Sequence, residues 1–118
     1  MDREQFDQVV EEEFESVPDL FRKNLENVRI VVEDEPHQQL NRGRGLLLGL
    51  YQGIPLNKRG SAYGVYPVVP DTITLFRKNI ESIAANEEDV RRQIRVTLIH
   101  EIGHYYGMSE ADIRHAGY

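Results

Sequence analysis

Apolar positions near the start of the chain fall at helical spacing. Phe6, Val9, Val10, Phe14 and Val17 recur with acidic residues between them, which predicts an amphipathic helix over about residues 3–16 that buries one stripe. Pro18 cannot continue that helix but suits the first turn of another, and Ser16 with Asp19 resembles a capping pair. A short second helix is therefore expected, carrying Leu20, Phe21 and Leu25 inward. The period then changes. Val28–Glu33 is rich in β-branched residues and ends in the turn formers Asp34-Glu35-Pro36, as a strand does. After a polar, glycine-dotted stretch, residues 46–51 read as a second strand, which leads through Gln52-Gly53 into a long loop with turn formers throughout residues 57–64. A loop of that length in a small domain is usually functional or mobile. Pro70-Asp71 then turns the chain into Thr72-Ile73-Thr74-Leu75-Phe76, whose alternation predicts a third strand with one face on the core. The pattern does not decide whether this strand lies at a sheet border, where an extended peptide could pair with it, or in the sheet interior.

The last pattern is helical again. Asn86 offers an N-cap acceptor, and Glu87, Glu88 and Asp89 place negative charge in the first turn, where the helix dipole favours it. The helix should run over about residues 87–106. Val90, Ile94, Leu98 and Ile102 form one apolar line and Val96, Ile99 and Gly103 another, so its second half is expected to be buried on most sides. The string Leu-Phe-Arg-Lys-Asn occurs twice, at Leu20 to Asn24 and at Leu75 to Asn79. The first copy sits in a helical pattern and the second ends a strand pattern, so the recurrence reads as coincidence, not as an internal repeat.

Composition narrows the chemistry. A chain of 118 residues with 40% apolar content is sized for one core, so residues 1–118 are expected to form a single domain. Cysteine is absent, which removes thiolate nucleophiles, disulfides and cysteine-based metal sites and suits a reducing, cytoplasmic setting. No basic flank leads into an apolar segment near Met1, and the longest apolar run is Leu46-Leu47-Leu48, so neither a signal segment nor a membrane anchor is expected. A net charge of −6 argues against a nucleic-acid partner. The one locally basic spot, Arg42-Gly43-Arg44-Gly45, reads as a solvated loop.

The chemistry lies in His100-Glu101-Ile102-Gly103-His104, three ionisable side chains on a helix whose surroundings reject uncompensated charge. A divalent cation would compensate them. Residues four apart share a helix face, so His100 and His104 can aim their imidazoles at one zinc ion, while Glu101 can reach a water in the open coordination position. Zinc acidifies that water, and Glu101 can act as the general base as the water attacks a polarised carbonyl. Gly107 stands where the helix should end in a left-handed turn. Three residues later Glu110 completes His-Glu-x-x-His-x-x-Gly-x-x-Glu, and the turn can swing this carboxylate back as the third metal ligand. Asp112 and His115 are the alternatives for that role, and Glu110 can also be read as an N-terminal helix acid after a Ser109 cap. Tyr63, Tyr66 and His115 are candidate donors to a tetrahedral oxyanion. Tyr105 and Tyr106 read as packing aromatics.

In these residues the chain resembles the small bacterial zincin-like metallopeptidases, which comprise a minimal catalytic domain. The resemblance rests on His100 to Glu110, on Leu48-Gly49-Leu50-Tyr51-Gln52-Gly53 and on Pro70 to Phe76. It implies an α+β fold in which a small mixed sheet of three to four strands packs against an N-terminal helix and a C-terminal active-site helix, with an edge strand bordering a cleft in front of the metal. It also implies Zn2+ as cofactor and a peptide or unfolded protein as substrate. Larger relatives with the extended motif, the metzincins, typically use His or Asp as third ligand and carry a methionine-bearing turn under the site. Here Glu110 holds the third position, and Met108 lies too close to the motif to serve as that turn. Two other functions use the same groups: a metal-binding module without peptidase activity, and a metal-dependent hydrolase of non-peptide amides or esters.

Overall fold

The structure, a computed structural model, describes residues 1–37, 45–60, 63–64 and 69–118. The first helix, α1 (Arg3–Glu15), starts where the pattern places it. Asp2 caps it in a capping box with Gln5, and Phe6, Val9 and Val10 form its buried stripe. The second helix, α2 (Asp19–Arg22), is a single turn behind Pro18 and has no side-chain cap. Ser16 instead bonds back to the Glu13 carbonyl. Phe21 points inward as expected and Leu25 packs against the core, but Leu20 is 77% exposed. One helical turn can direct only one or two side chains at the core, and Phe21 takes that place.

Strand β1 (Val28–Glu33) matches its predicted span, and β2 (Gly49–Gln52) is shorter than the apolar run suggested. Leu46 is half exposed, and the backbone bonding to β3 starts only at Leu48, whose carbonyl accepts the Phe76 N–H. Strand β3 (Asp71–Phe76) pairs parallel with β1 and antiparallel with β2, giving the order β1-β3-β2. The third strand is therefore the interior one, buried at every position but Thr72. The border facing the site is β2, which decides for the interior the position of residues 73–76 that the pattern left open. Alternation of Thr with Ile and Leu predicts one face of β3 open to water; on that face Thr74 and Phe76 are buried and only Thr72 is partly exposed.

A helix not foreseen from the pattern, α3 (Arg77–Ile83), follows β3 directly and buries Asn79 and Ile80. Asn79 donates to the Leu47 carbonyl at 2.8 Å, tying the approach to β2 onto α3. The two Leu-Phe-Arg-Lys-Asn strings thus adopt different structures, one within and after α2, the other spanning the β3–α3 junction. The longest helix, α4 (Glu87–Tyr105), opens on the Asn86 cap and packs across α1, β2 and β3. Ile94, Leu98, Ile102 and Tyr105 are fully buried along it, joined by Phe6, Ile73, Leu75 and Ile80 in one core. The final helix, α5 (Glu110–His115), folds back onto α4. The fold is α+β, with a three-stranded mixed sheet and five α-helices among the described residues, none of them long and apolar enough to cross a membrane. The basic spot at Arg42 to Arg44, and Tyr66, lie outside the described residues.

Candidate metal centre

The end of α4 is built by local rules. Tyr106 is its C-cap and Gly107, at φ +87°, turns the chain left-handed. Met108 N–H bonds to the Gly103 carbonyl and Gly107 N–H to the His104 carbonyl, both at 2.9 Å, which is the Schellman pattern. Two residues on, Ser109 and Asp112 form a capping box that starts α5. Ile113, fully buried, then packs directly on α4. It can do so only because residue 103 is glycine: a Cβ there would lie 2.7 Å from the Ile113 Cδ1. Sequence reasoning placed Gly103 on an apolar line but did not pair it with Ile113, the residue that seats α5 against α4. The signal was present, as a glycine on a helix face four residues before the C-terminal glycine.

Seated this way, α5 turns Glu110 toward both histidines. The Glu110 carboxylate lies 3.0 Å from His100 Nδ1 through one oxygen and 2.9 Å from His104 Nε2 through the other. The remaining nitrogen of each ring meets a main-chain oxygen, His104 Nδ1 the Met108 carbonyl at 2.9 Å and His100 Nε2 the Tyr118 terminal oxygen at 3.0 Å. The two imidazoles are 23% and 30% exposed, so the site opens to solvent on one side and is not buried all round. Val96, one turn earlier, is likewise 38% exposed. Asp112 is committed to the capping box and His115 stands exposed at the far end of α5, so of the three alternatives only Glu110 meets the histidines. Tyr63 gives its hydroxyl to an interaction with Asn27, at 3.0 Å from the Asn27 amide nitrogen. Tyr105 is fully buried and bonds the Glu26 backbone, and Tyr106 bonds the Phe21 carbonyl, as packing aromatics do.

Glu101 leaves this group and points to the sheet. Its Oε1 accepts the Tyr51 N–H of β2 at 2.8 Å. Because Leu48 faces β3, alternation in an antiparallel pair gives Leu50 and Gln52 the same side and turns the backbone groups of Gly49 and Tyr51 toward the site. Tyr51 is held from below: its hydroxyl donates to Asp71 at 2.5 Å, and Asp71 pairs with Arg59 at 2.7 Å, with both charged side chains almost fully buried. Arg59 stacks over Tyr63 and Tyr105, so this network fixes the loop after β2 and the strand together. Tyr51, Asp71 and Arg59 were not singled out from the sequence, since residues 20 and 12 apart show no spacing that reveals a shared site.

Charge follows geometry. Burial pushes the Glu101 carboxyl above its ordinary range, against the pull of His104 and of the Tyr51 N–H. Burial also disfavours a charged His104, but the Met108 carbonyl and the carboxylates of Glu110 and Glu101 outweigh it and raise that ring. Burial would raise Glu110, yet its bond to His104 and the nearby His100 hold it below the usual carboxylate range.

The donor set fits zinc chemically: two imidazoles, each oriented by a main-chain oxygen on its far nitrogen, and one carboxylate. Among the described residues no three such groups are already spaced around a common point as ligands are, because Glu110 bonds the two rings directly.

The model of the zincin-like metallopeptidase family matches residues 25–118, and the chain belongs to that family. A solved structure, a conserved hypothetical protein from T. thermophilus, is similar over 90% of this chain and 94% of its own, at 26% identity and a TM-score of 0.60. It shares the fold. No curated protein matches the chain.

Proposed function

We propose that the chain is a zinc-dependent peptidase that acts on extended peptide or unfolded protein segments, with His100, His104 and Glu110 as metal ligands and Glu101 as general base. The observation that carries this reading is the convergence of Glu110 on both histidines while Glu101 is held apart from them on β2. A bound zinc ion supplies Lewis acidity, polarising the scissile carbonyl and bringing a water's pKa near neutrality. Glu101 takes the water's proton on Oε2, the oxygen that the Tyr51 N–H leaves free, and returns it to the departing amine. Its burial suits this duty, since a carboxylate raised above its ordinary range is a stronger base. The Tyr51 N–H is taken by Glu101, but the Gly49 N–H and C=O and the Tyr51 carbonyl remain along the site, so a substrate strand can pair with β2 there and lie across the metal ligands. The absence of cysteine from all 118 residues suits a cytoplasmic setting for this chemistry.

The test is Glu101→Gln in zinc-loaded protein, assayed on a mixed library of unstructured peptides. Cleavage should fall by about 10²–10⁴-fold with zinc content unchanged. Retained cleavage, or cleavage that never depends on metal, overturns the reading.

A further inference from the structure

At the opposite border of the sheet, β1 is unpaired on its outer side among the described residues. The Asn27 carbonyl accepts the Asp71 N–H, so alternation assigns Arg29, Val31 and Glu33 to the β3 side and turns the N–H and C=O groups of Val28, Ile30 and Val32 outward. The Arg3 guanidinium bonds the Val32 carbonyl from outside, which shows that this edge takes donors. Beside it runs an open groove of about 810 Å3 between α1 and β1. Its floor is apolar, with Val10 and Phe14 of α1 and Ile30 and Val32 of β1. Its helical wall is acidic, with Glu4, Asp7 and Glu11 all exposed. Asp7 pairs with Arg3, whereas Glu4 and Glu11 have no ion-pair partner among the described residues.

We propose that this groove binds an extended peptide by strand addition to β1, and that the peptide carries lysine or arginine at alternate positions. Outward N–H and C=O groups supply the backbone ladder, the Val32 carbonyl exchanging its Arg3 donor for the added strand, and do not choose a sequence. The acidic wall supplies the choice. Side chains on one face of an added strand recur about every 7 Å, and Glu4 and Glu11 stand about 10 Å apart along α1. Two long basic side chains two residues apart therefore reach both carboxylates while their stems cover Val10 and Phe14. A second copy of this chain fits less well. Antiparallel pairing of β1 with itself would bring two acidic α1 faces together, with like charges opposed. The site lies across the sheet from the candidate metal centre and does not depend on it.

The probe is a capped, fluorescent (Lys-Val)4 peptide titrated into the full chain carrying Glu101→Gln, so that the peptide is not consumed, with amide resonances followed in parallel. Binding should shift Ile30 and Val32, protect their amides from exchange, weaken at least tenfold in Glu4→Lys/Glu11→Lys, and vanish for (Glu-Val)4 and for a backbone N-methylated (Lys-Val)4. Both substitutions lie on exposed positions of α1, and a circular dichroism spectrum checks that the fold is kept. The proposal is overturned if the charge-reversed protein binds equally well, if shifts appear at Gly49 and Tyr51 and not at Ile30, if the Ile30 and Val32 amides are already protected in the free chain, or if the chain dimerises through β1.

Discussion

The two walls of the candidate centre are made by opposite means. The helical wall, from His100 to Ile113, is encoded within fourteen consecutive residues: an i, i+4 histidine pair, a left-handed glycine, a capping box, and an apolar residue seated on Gly103. The strand wall, β2, holds its place through partners scattered along the chain: Glu101 at its backbone, Asp71 at the Tyr51 hydroxyl, Arg59 beyond that, and Asn79 at its approach. The difference predicts that damage to each wall has a separate signature. Metal binding belongs to the first, and stability with substrate alignment to the second.

The largest effect should come from the strand wall. Asp71→Ala leaves the Arg59 guanidinium buried without its partner and the Tyr51 hydroxyl without its acceptor. The expected loss is about 3–5 kcal/mol of stability, read by urea denaturation, while the protein that remains folded still binds zinc. A folded Asp71→Ala with unchanged stability would mean that β2 is held by something other than this network. Gly107→Ala probes the other wall. It forces a Cβ into a left-handed residue and against the Asn57 side chain, at a cost of about 1–2 kcal/mol. Because that turn delivers Glu110, zinc affinity should fall by about tenfold, and an unchanged affinity would separate the turn from the ligand set. The smallest effect tests the foundation of α4. Hydrogen bonding to the Ala85 N–H, followed by Arg92, holds Asp89 below its ordinary value of 3.8. A depressed carboxylate pKa contributes stability that is present above the unfolded-state value and is lost as pH falls through the folded-state one. Asp89→Asn should therefore lower the thermal midpoint slightly at pH 6, and the gap from wild type should close as the pH is brought below 3.8.

The contrast also explains what the sequence disclosed. Helix α4, its Asn86 cap, the Gly107 stop and the return of Glu110 were all legible, because each is set by residues within a few positions of one another. Strand β1 was legible for the same reason. The place of β3 in the sheet was not, since alternation reports how many faces are wet and not how many edges are paired. Leu20 was misplaced because periodicity over one turn leaves too few positions to orient it. The Arg59–Asp71–Tyr51 network was invisible, as a buried ion pair joins residues that only the tertiary fold brings together. Helix α3 escaped because it begins directly at the end of a strand, with no capping residue at Phe76 to announce it.

The central claim is that His100, His104 and Glu110 hold the metal while Glu101 does not. Calorimetric titration of zinc into metal-free wild type, His104→Ala, Glu110→Ala and Glu101→Gln tests it most directly. One ion per chain is expected in wild type and in Glu101→Gln with matching affinity, a loss of roughly 100-fold or more in His104→Ala, and a clear weakening in Glu110→Ala. Undiminished binding in Glu110→Ala together with a collapse in Glu101→Gln would contradict it.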